Sequence, residues 1–264
     1  MNKLIKTYCI NLPESVDRKS HMESCFKNNN ISNVIYSKTH DKSSQEVIKN
    51  FKKYNRIYCR GEFKEAKSYS KKEEIKNPIK AGELGLLFSY YEILKDIVKN
   101  NYQWSLICED DVIFLPWFRF GYTQLIDIIN KSSITDPTII YLGSLTMQKM
   151  GRYDDAEKER LINEYEKQKF KLELNKTDGE SGGTWCQLIN LNLAKDLLEK
   201  YLPPNYPPVC AIDDLFLYLL TNKKINGYTT NPLLVIENSI DNWDHSEIKY
   251  LMKYKKENTF SRTI

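Results

Sequence analysis

Hydrophobic and polar positions along this chain follow two rhythms that switch at turn-forming residues. Residues 4–12 hold a short apolar run that predicts a strand. Asn11-Leu12-Pro13-Glu14-Ser15 breaks it, with Pro13 and Ser15 marking a turn and a helix start. Val16, Met22, Cys25 and Phe26 then share one helix face, and Val34–Tyr36 predicts a short strand. From 38 to 80 the rhythm fades into Lys, Glu, Ser and Asn, the composition of solvated loops and short helices. The clearest helix follows: Leu84, Leu87, Phe88, Tyr91, Leu94 and Val98 recur at three- and four-residue spacing, from Gly82-Glu83 to Lys99-Asn100-Asn101. The apolar run Trp104-Ser105-Leu106-Ile107-Cys108 reads as a buried strand.

Further elements continue the alternation. Residues 125–129 are helical in pattern, and 138–142 form a β-branched strand ending at Gly143. Residues 148–180 are polar and read as a flexible insertion or lid. A strand is predicted over 184–189. Asn192 is placed to cap a helix reaching Tyr201, stopped by Pro203-Pro204 and Pro207-Pro208. Asp213-Asp214 open a helix over 215–220, and a last strand over 233–236 leads to Asp241-Asn242-Trp243-Asp244-His245. With no internal repeat and no linker between two cores, 1–264 is expected to be one α/β domain. It would be a sandwich around a mainly parallel sheet, with polar insertions near 38–80 and 148–180.

Composition narrows the class. With 264 residues, 41% hydrophobic and 28% charged, the chain has the make-up of a globular protein with a sizeable core. A net charge of +4 without an aromatic-basic platform argues against nucleic acid as a partner. Lys-rich segments permit weak peripheral membrane contact, but no strong amphipathic signature supports it. No stretch approaches the ~20 apolar residues of a membrane span. Residues 1–12 lack the apolar centre and cleavage site of a signal peptide, so a cytoplasmic location is expected. Six cysteines, at 9, 25, 59, 108, 186 and 210, form no Cys-x-x-Cys pair. Cys9, Cys108 and Cys186 sit inside apolar runs and read as small buried hydrophobes of a reducing compartment.

The candidate chemistry begins where the strand at 104–108 ends, in Glu109-Asp110-Asp111. Ligands of open α/β sheets bind at the carboxyl ends of strands. Three adjacent carboxylates repel one another unless a cation neutralises them, which suggests a hard divalent ion shared with a phosphate. A solvated acidic turn is the alternative. The chain has neither a P-loop nor a Gly-x-Gly-x-x-Gly fingerprint. Phosphate handling would therefore rest on a metal and cationic side chains, a requirement that a nucleotide diphosphate meets.

A set of motifs carries a family resemblance. Cys9-Ile10-Asn11-Leu12-Pro13-Glu14-Ser15-Val16-Asp17-Arg18 resembles the opening Ile-Asn-Leu-x-x-Ser-x-x-Arg of glycosyltransferase family 25, which includes lipopolysaccharide-type transferases and collagen hydroxylysine galactosyltransferases. Gly82 to Tyr90 resembles its Gly-Glu-x-Gly-Cys-x-x-Ser-His segment, and Ile107 to Val112 its Leu-Glu-Asp-Asp-Val. Gly183 to Ile189 is similar to its Gly-Thr-x-x-Tyr-x-Ile strand, and Ser246-Glu247-Ile248 to its Ser-Asp-Ile ending. The matches keep family order over most of the chain. Tyr90 in place of His, Leu86 in place of Cys, and Cys186 where an aromatic is expected are departures; they bear on the acceptor and the sugar more than on the fold.

The resemblance implies a GT-A-type, Rossmann-like α/β/α sandwich, a UDP-sugar donor, and a manganese (or magnesium) ion. It implies galactosyl transfer from UDP-galactose with inversion, to a hydroxyl on a glycan or a hydroxylysine-type protein. Asn11, Leu12, Ser15 and Arg18 would line the nucleotide pocket, joined by Gly82, Glu83, Ser89 and Asp110. Glu109 and Asp111 would bind the metal, with His245 a candidate third ligand. Inversion needs a base for the acceptor hydroxyl; Asp213 or Asp214, at a helix start, is the candidate, although Asp is favourable there for capping alone. Trp185 and Trp243 are candidates to stack on a sugar, with core packing the simpler role for Trp185. Two other classes remain open: a nucleotide-sugar-binding protein without turnover, and a metal-dependent phosphodiesterase built on the acidic cluster.

Overall fold

In the computed structural model the described residues are 5–37, 40, 44–45, 47–49, 81–143, 160, 163–165, 167, 169–177, 185–202 and 211–237. The central apolar runs become strands buried on both faces, and the strands at the sheet edges are partly exposed. The first three are β1 (Lys6–Ile10), β2 (Val34–Tyr36) and β3 (Trp104–Glu109). They are followed by β4 (Val112–Phe114), β5 (Thr138–Tyr141), β6 (Glu173–Thr177), β7 (Cys186–Asn190), β8 (Asn226–Asn231) and β9 (Val235–Glu237). The helices are α1 (Val16–Asn28), α2 (Ala81–Asn100), α3 (Phe118–Lys131), α4 (Leu191–Lys200) and α5 (Ile212–Thr221).

Seven strands join in the order β2-β1-β3-β7-β5-β8-β6. β1, β2, β3, β5 and β8 run one way; β7, between β3 and β5, and the edge strand β6 run the other. Most strands therefore share one direction, as the alternation of elements predicts. Side chains alternate across this sheet. Tyr8, Ile10, Ile107, Ile139, Tyr141 and Ile189 meet α2, α4 and α5, whereas Cys9, Leu106, Cys108, Ile140, Leu142 and Leu188 meet α1 and α3. Helices thus cover both faces, in an α/β/α sandwich.

Two features of this topology position the site. The chain leaves β1 to form β2 on one side and returns to form β3 on the other, so the strand order reverses between β1 and β3. Such a switch point opens a crevice at the carboxyl ends of its two strands. Next, α2 and α5 each precede a strand whose carboxyl end lies on that same edge, so their N-termini lie there too. The far end of α2 closes as a Schellman motif, with Tyr102 N–H donating to Ile97 O at 3.1 Å and Asn101 N–H to Val98 O at 3.3 Å. Asn101 has φ 53° there, a conformation Asn tolerates.

Several expectations are corrected. Part of the stretch read as a flexible insertion, Glu173–Thr177, is the edge strand β6, paired antiparallel with β8. Strand β8, Asn-Gly-Tyr-Thr-Thr-Asn, escapes prediction because its polar residues hide the strand rhythm. Helix α3 extends well beyond 125–129. The last predicted strand is shifted to Val235–Glu237 and pairs with β4 in a separate ladder. Nearly all of 38–80 lies outside the described residues. No helix among the described residues is long and apolar enough to cross a membrane.

The cap of α4 is Asn190, not Asn192. Asn190 Oδ1 accepts from Leu193 N–H at 2.9 Å and from Thr138 N–H at 3.0 Å, while its Nδ2 donates to Asp136 O at 2.6 Å. One buried amide therefore caps a helix and pins the start of β5. Asn190→Ala is expected to cost about 2–4 kcal/mol, because the cap is lost and buried groups lose their partner. The exposed Asn192, which donates to Thr135 O, is expected to cost about 1 kcal/mol or less on the same change. Chemical denaturation of both variants checks the ranking.

Candidate functional site

The turn after β1 and the triplet after β3 meet across the switch point. Asn11 Nδ2 donates to Asp110 Oδ2 at 2.6 Å and to Ser15 O at 3.1 Å. Arg18, in the first turn of α1, pairs with Asp110 Oδ1 at 2.9 Å and donates to Ser15 Oγ at 2.8 Å. Ser15 thus receives the guanidinium instead of capping α1 with its side chain.

A cavity of about 330 Å³ opens over this contact. Its walls include Leu12, Arg18, Gly82, Ser89, Glu109, Asp110 and Asp111, all predicted for the donor or the metal, together with Ile10, Leu86 and His40. Asn11 and Ser15 stand behind the wall and brace it. A Cβ at Gly82 would meet nothing within 4 Å, so no packing contact demands glycine there; the position is open space at the cavity. Ser89 is buried on α2, where its Oγ donates to Gly85 O at 3.0 Å and accepts from His40 N–H at 3.2 Å. That bond and the edge-to-face contact of His40 with Phe88, 5.7 Å between centroids, bring His40 to the wall. Sequence reasoning misses His40, since it lies in the polar stretch without periodicity.

The remaining predicted residues divide. Asp213 and Asp214 occupy the first turn of α5 and are exposed. Partial loss of water around its carboxyl, then the charges of Asp213 and Glu83, shift the Asp214 carboxyl upward from its ordinary value even though the residue is exposed. Glu83, in the first turn of α2, is not among the residues that line the cavity, and its charge acts on Asp214. Trp185 is buried in the core beside β7, in its structural role. His245 and Trp243 lie outside the described residues. Behind Glu109, Tyr90 fills a fully buried position, and its hydroxyl accepts from Gln187 Nε2 at 2.7 Å. Burial first, then the nearby Glu109 charge, drives the Tyr90 hydroxyl far above its usual range, so it stays a neutral partner.

A divalent ion in this cavity needs oxygen donors on its wall. Among the described residues, no three His, Cys, Asp or Glu side chains gather as a metal site. Two carboxylates, Glu109 and Asp111, line the cavity without appearing in the Arg18 contact. Hard ions such as magnesium are held by one or two carboxylates plus phosphate oxygens and water, so this pair fits a substrate-completed site. A second groove, of about 520 Å³ between α1 and β2, is lined by Phe26, Ile31, Val34 and Tyr36 among others and lies away from the carboxylates.

Fold and site define an α/β protein whose ligand crevice opens where β1 and β3 end, with a cation and carboxylates on its walls. Residues 4–216 match Glycosyltransferase family 25 (LPS biosynthesis protein), and the chain belongs to that family. It is 32% identical over 71 residues to procollagen galactosyltransferase 2 of Homo sapiens, covering 27% of this chain and 11% of that protein. It is 31% identical over 125 residues to a glycosyltransferase 25 family member of Aedes aegypti, covering 47% and 18%. The chain thus spans less than a fifth of the length of these relatives. A solved glycosyltransferase involved in the glycosylation of the major capsid of PBCV-1 is similar at 11% identity and a TM-score of 0.38, over 95% of this chain and 98% of that one.

Proposed function

We propose that the chain forms one catalytic domain that transfers a hexose, galactose from UDP-galactose in the first instance, to a hydroxyl of a glycan or a hydroxylysine-type protein. The observation that carries this reading is that one cavity gathers Arg18, Glu109 and Asp111 at the β1/β3 switch point. Family membership and the galactosyltransferase relatives support the reaction class.

Within this reading the residues divide the work. Arg18 offers its fork of N–H donors to the donor diphosphate. The apolar wall of Ile10, Leu12 and Leu86 excludes water from one side of the cavity. Glu109 and Asp111 hold a manganese or magnesium ion, which supplies Lewis-acid neutralisation of the leaving diphosphate when bound. Asp214, or its neighbour Asp213, takes the acceptor proton as the hydroxyl attacks the anomeric carbon from the face opposite the leaving group. That geometry inverts the configuration. The upward shift of the Asp214 carboxyl is in the direction that strengthens a base.

The experiment is a donor-hydrolysis and thermal-shift screen of UDP-sugars with and without manganese. Slow hydrolysis of UDP-galactose and a rise in melting temperature that needs both donor and metal are expected. A protein that neither hydrolyses nor is stabilised by any UDP-sugar would sink this reading.

A further inference from the structure

The middle carboxylate of the triplet has a different environment from its two neighbours. Both Asp110 oxygens are engaged: Oδ2 by Asn11 Nδ2 at 2.6 Å and Oδ1 by Arg18 at 2.9 Å. Its side chain is 8% exposed, while that of Arg18 is 46% exposed. A divalent ion on the same carboxylate would sit beside the guanidinium, and two cations would share one anion. The other end of the guanidinium is tied to Ser15 Oγ at 2.8 Å, and Ser15 is tied through its carbonyl to Asn11 at 3.1 Å. The four residues close a ring of bonds between the turn after β1 and the turn after β3. Arginine has five N–H donors in a rigid fork. One end of the fork donates to Ser15 and the other faces Asp110 in an ion pair, and the side chain lines the cavity. Arginine otherwise samples many rotamers, and a ligand that orders it loses affinity in doing so.

We propose that Asp110 is a positioning residue, not a metal ligand, and that with Ser15 it fixes Arg18 as the cation that receives the donor diphosphate. This rests on the donor-site reading above, and it assigns unlike roles to adjacent carboxylates: Glu109 and Asp111 toward the ion, Asp110 toward the arginine. Asn11 completes the device by occupying the second Asp110 oxygen from the opposite strand end.

The test measures UDP affinity by calorimetry, once with manganese and once with EDTA, in wild type, Asp110→Asn, Arg18→Gln and the double variant. Asp110→Asn is expected to weaken UDP by about ten- to a hundredfold, the worth of a charge-assisted bond, and equally in both conditions. The ratio of the two affinities, which reports the ion, stays at its wild-type value. The double variant binds no more weakly than Arg18→Gln alone, since Asp110 acts only through the arginine. Loss of the manganese-dependent gain in Asp110→Asn would overturn the proposal, as would additive losses in the double variant. Ser15→Ala provides the check if Asp110→Asn does not fold: it weakens UDP severalfold in wild type and has no effect beside Arg18→Gln. Unchanged UDP affinity in Ser15→Ala would count against the device. Wild type that binds no UDP in either condition defeats the donor reading itself, whereas UDP binding with a metal-ligand signature at Asp110 defeats only this inference.

Discussion

Asp111→Ala is expected to reduce the proposed sugar transfer by about two to four powers of ten, the equivalent of about 3–5 kcal/mol of lost transition-state stabilisation. The carboxylate lines the cavity beside Arg18 but is not the arginine's partner, so its loss leaves the Asp110–Arg18 pair standing. The variant therefore keeps the metal-independent part of its UDP affinity and loses the manganese-dependent part. Calorimetry with manganese and with EDTA separates the two. Intact manganese dependence in Asp111→Ala would remove this residue from the metal site. The same assay in Asp214→Asn checks the base: transfer falls, while UDP affinity is unchanged. In wild type the rate is expected to rise with pH as Asp214 deprotonates, because the proposed base must be deprotonated to accept a proton. Its midpoint is shifted upward from that of a free carboxylate, the direction that partial loss of water and the nearby Asp213 and Glu83 charges dictate.

Trp117→Ala costs about 3–5 kcal/mol of stability, the range for truncating a buried aromatic. Trp117 is 2% exposed. Its indole Nε1–H donates to Leu233 O at 2.7 Å, and its ring lies 6.3 Å from that of Phe170. It stands between β4 and α3 and ties them to the segment that enters β9. Strand β4 follows the triplet directly, so this anchor also holds the carboxylates from behind. Trp117→Phe keeps most of the burial but loses the bond to Leu233; it is expected to cost about 1–2 kcal/mol. Urea denaturation distinguishes the two, and equal costs would show that the hydrogen bond, not the packing, carries the residue.

Much of the site is legible because its parts are local. The Asn11–Arg18 turn directly follows an apolar strand, and Glu109-Asp110-Asp111 directly follows another. Gly82 and Ser89 sit on a helix whose apolar spacing is unmistakable. What local reading missed has a common cause. Strand β8 is polar in sequence and becomes a strand by pairing with β5 and β6. Asn190 outranks Asn192 as a cap because it also reaches Thr138 and Asp136, more than 50 residues away. His40 reaches the cavity wall through Ser89 and Phe88, which are distant in sequence.

By itself, then, the sequence determined the alternation of strands and helices, the placing of acidic groups at a strand end and a helix start, and the family motifs in their order. Each of these follows from residues within one or two turns of one another, where periodicity and turn chemistry act. Only the tertiary structure decided what Glu109-Asp110-Asp111 divides between. Asn11 and Asp110 are 99 residues apart, and they meet because β1 and β3 pair as neighbours at the point where strand order reverses. That pairing turns the middle carboxylate toward Arg18, a choice set by which strand lies beside which.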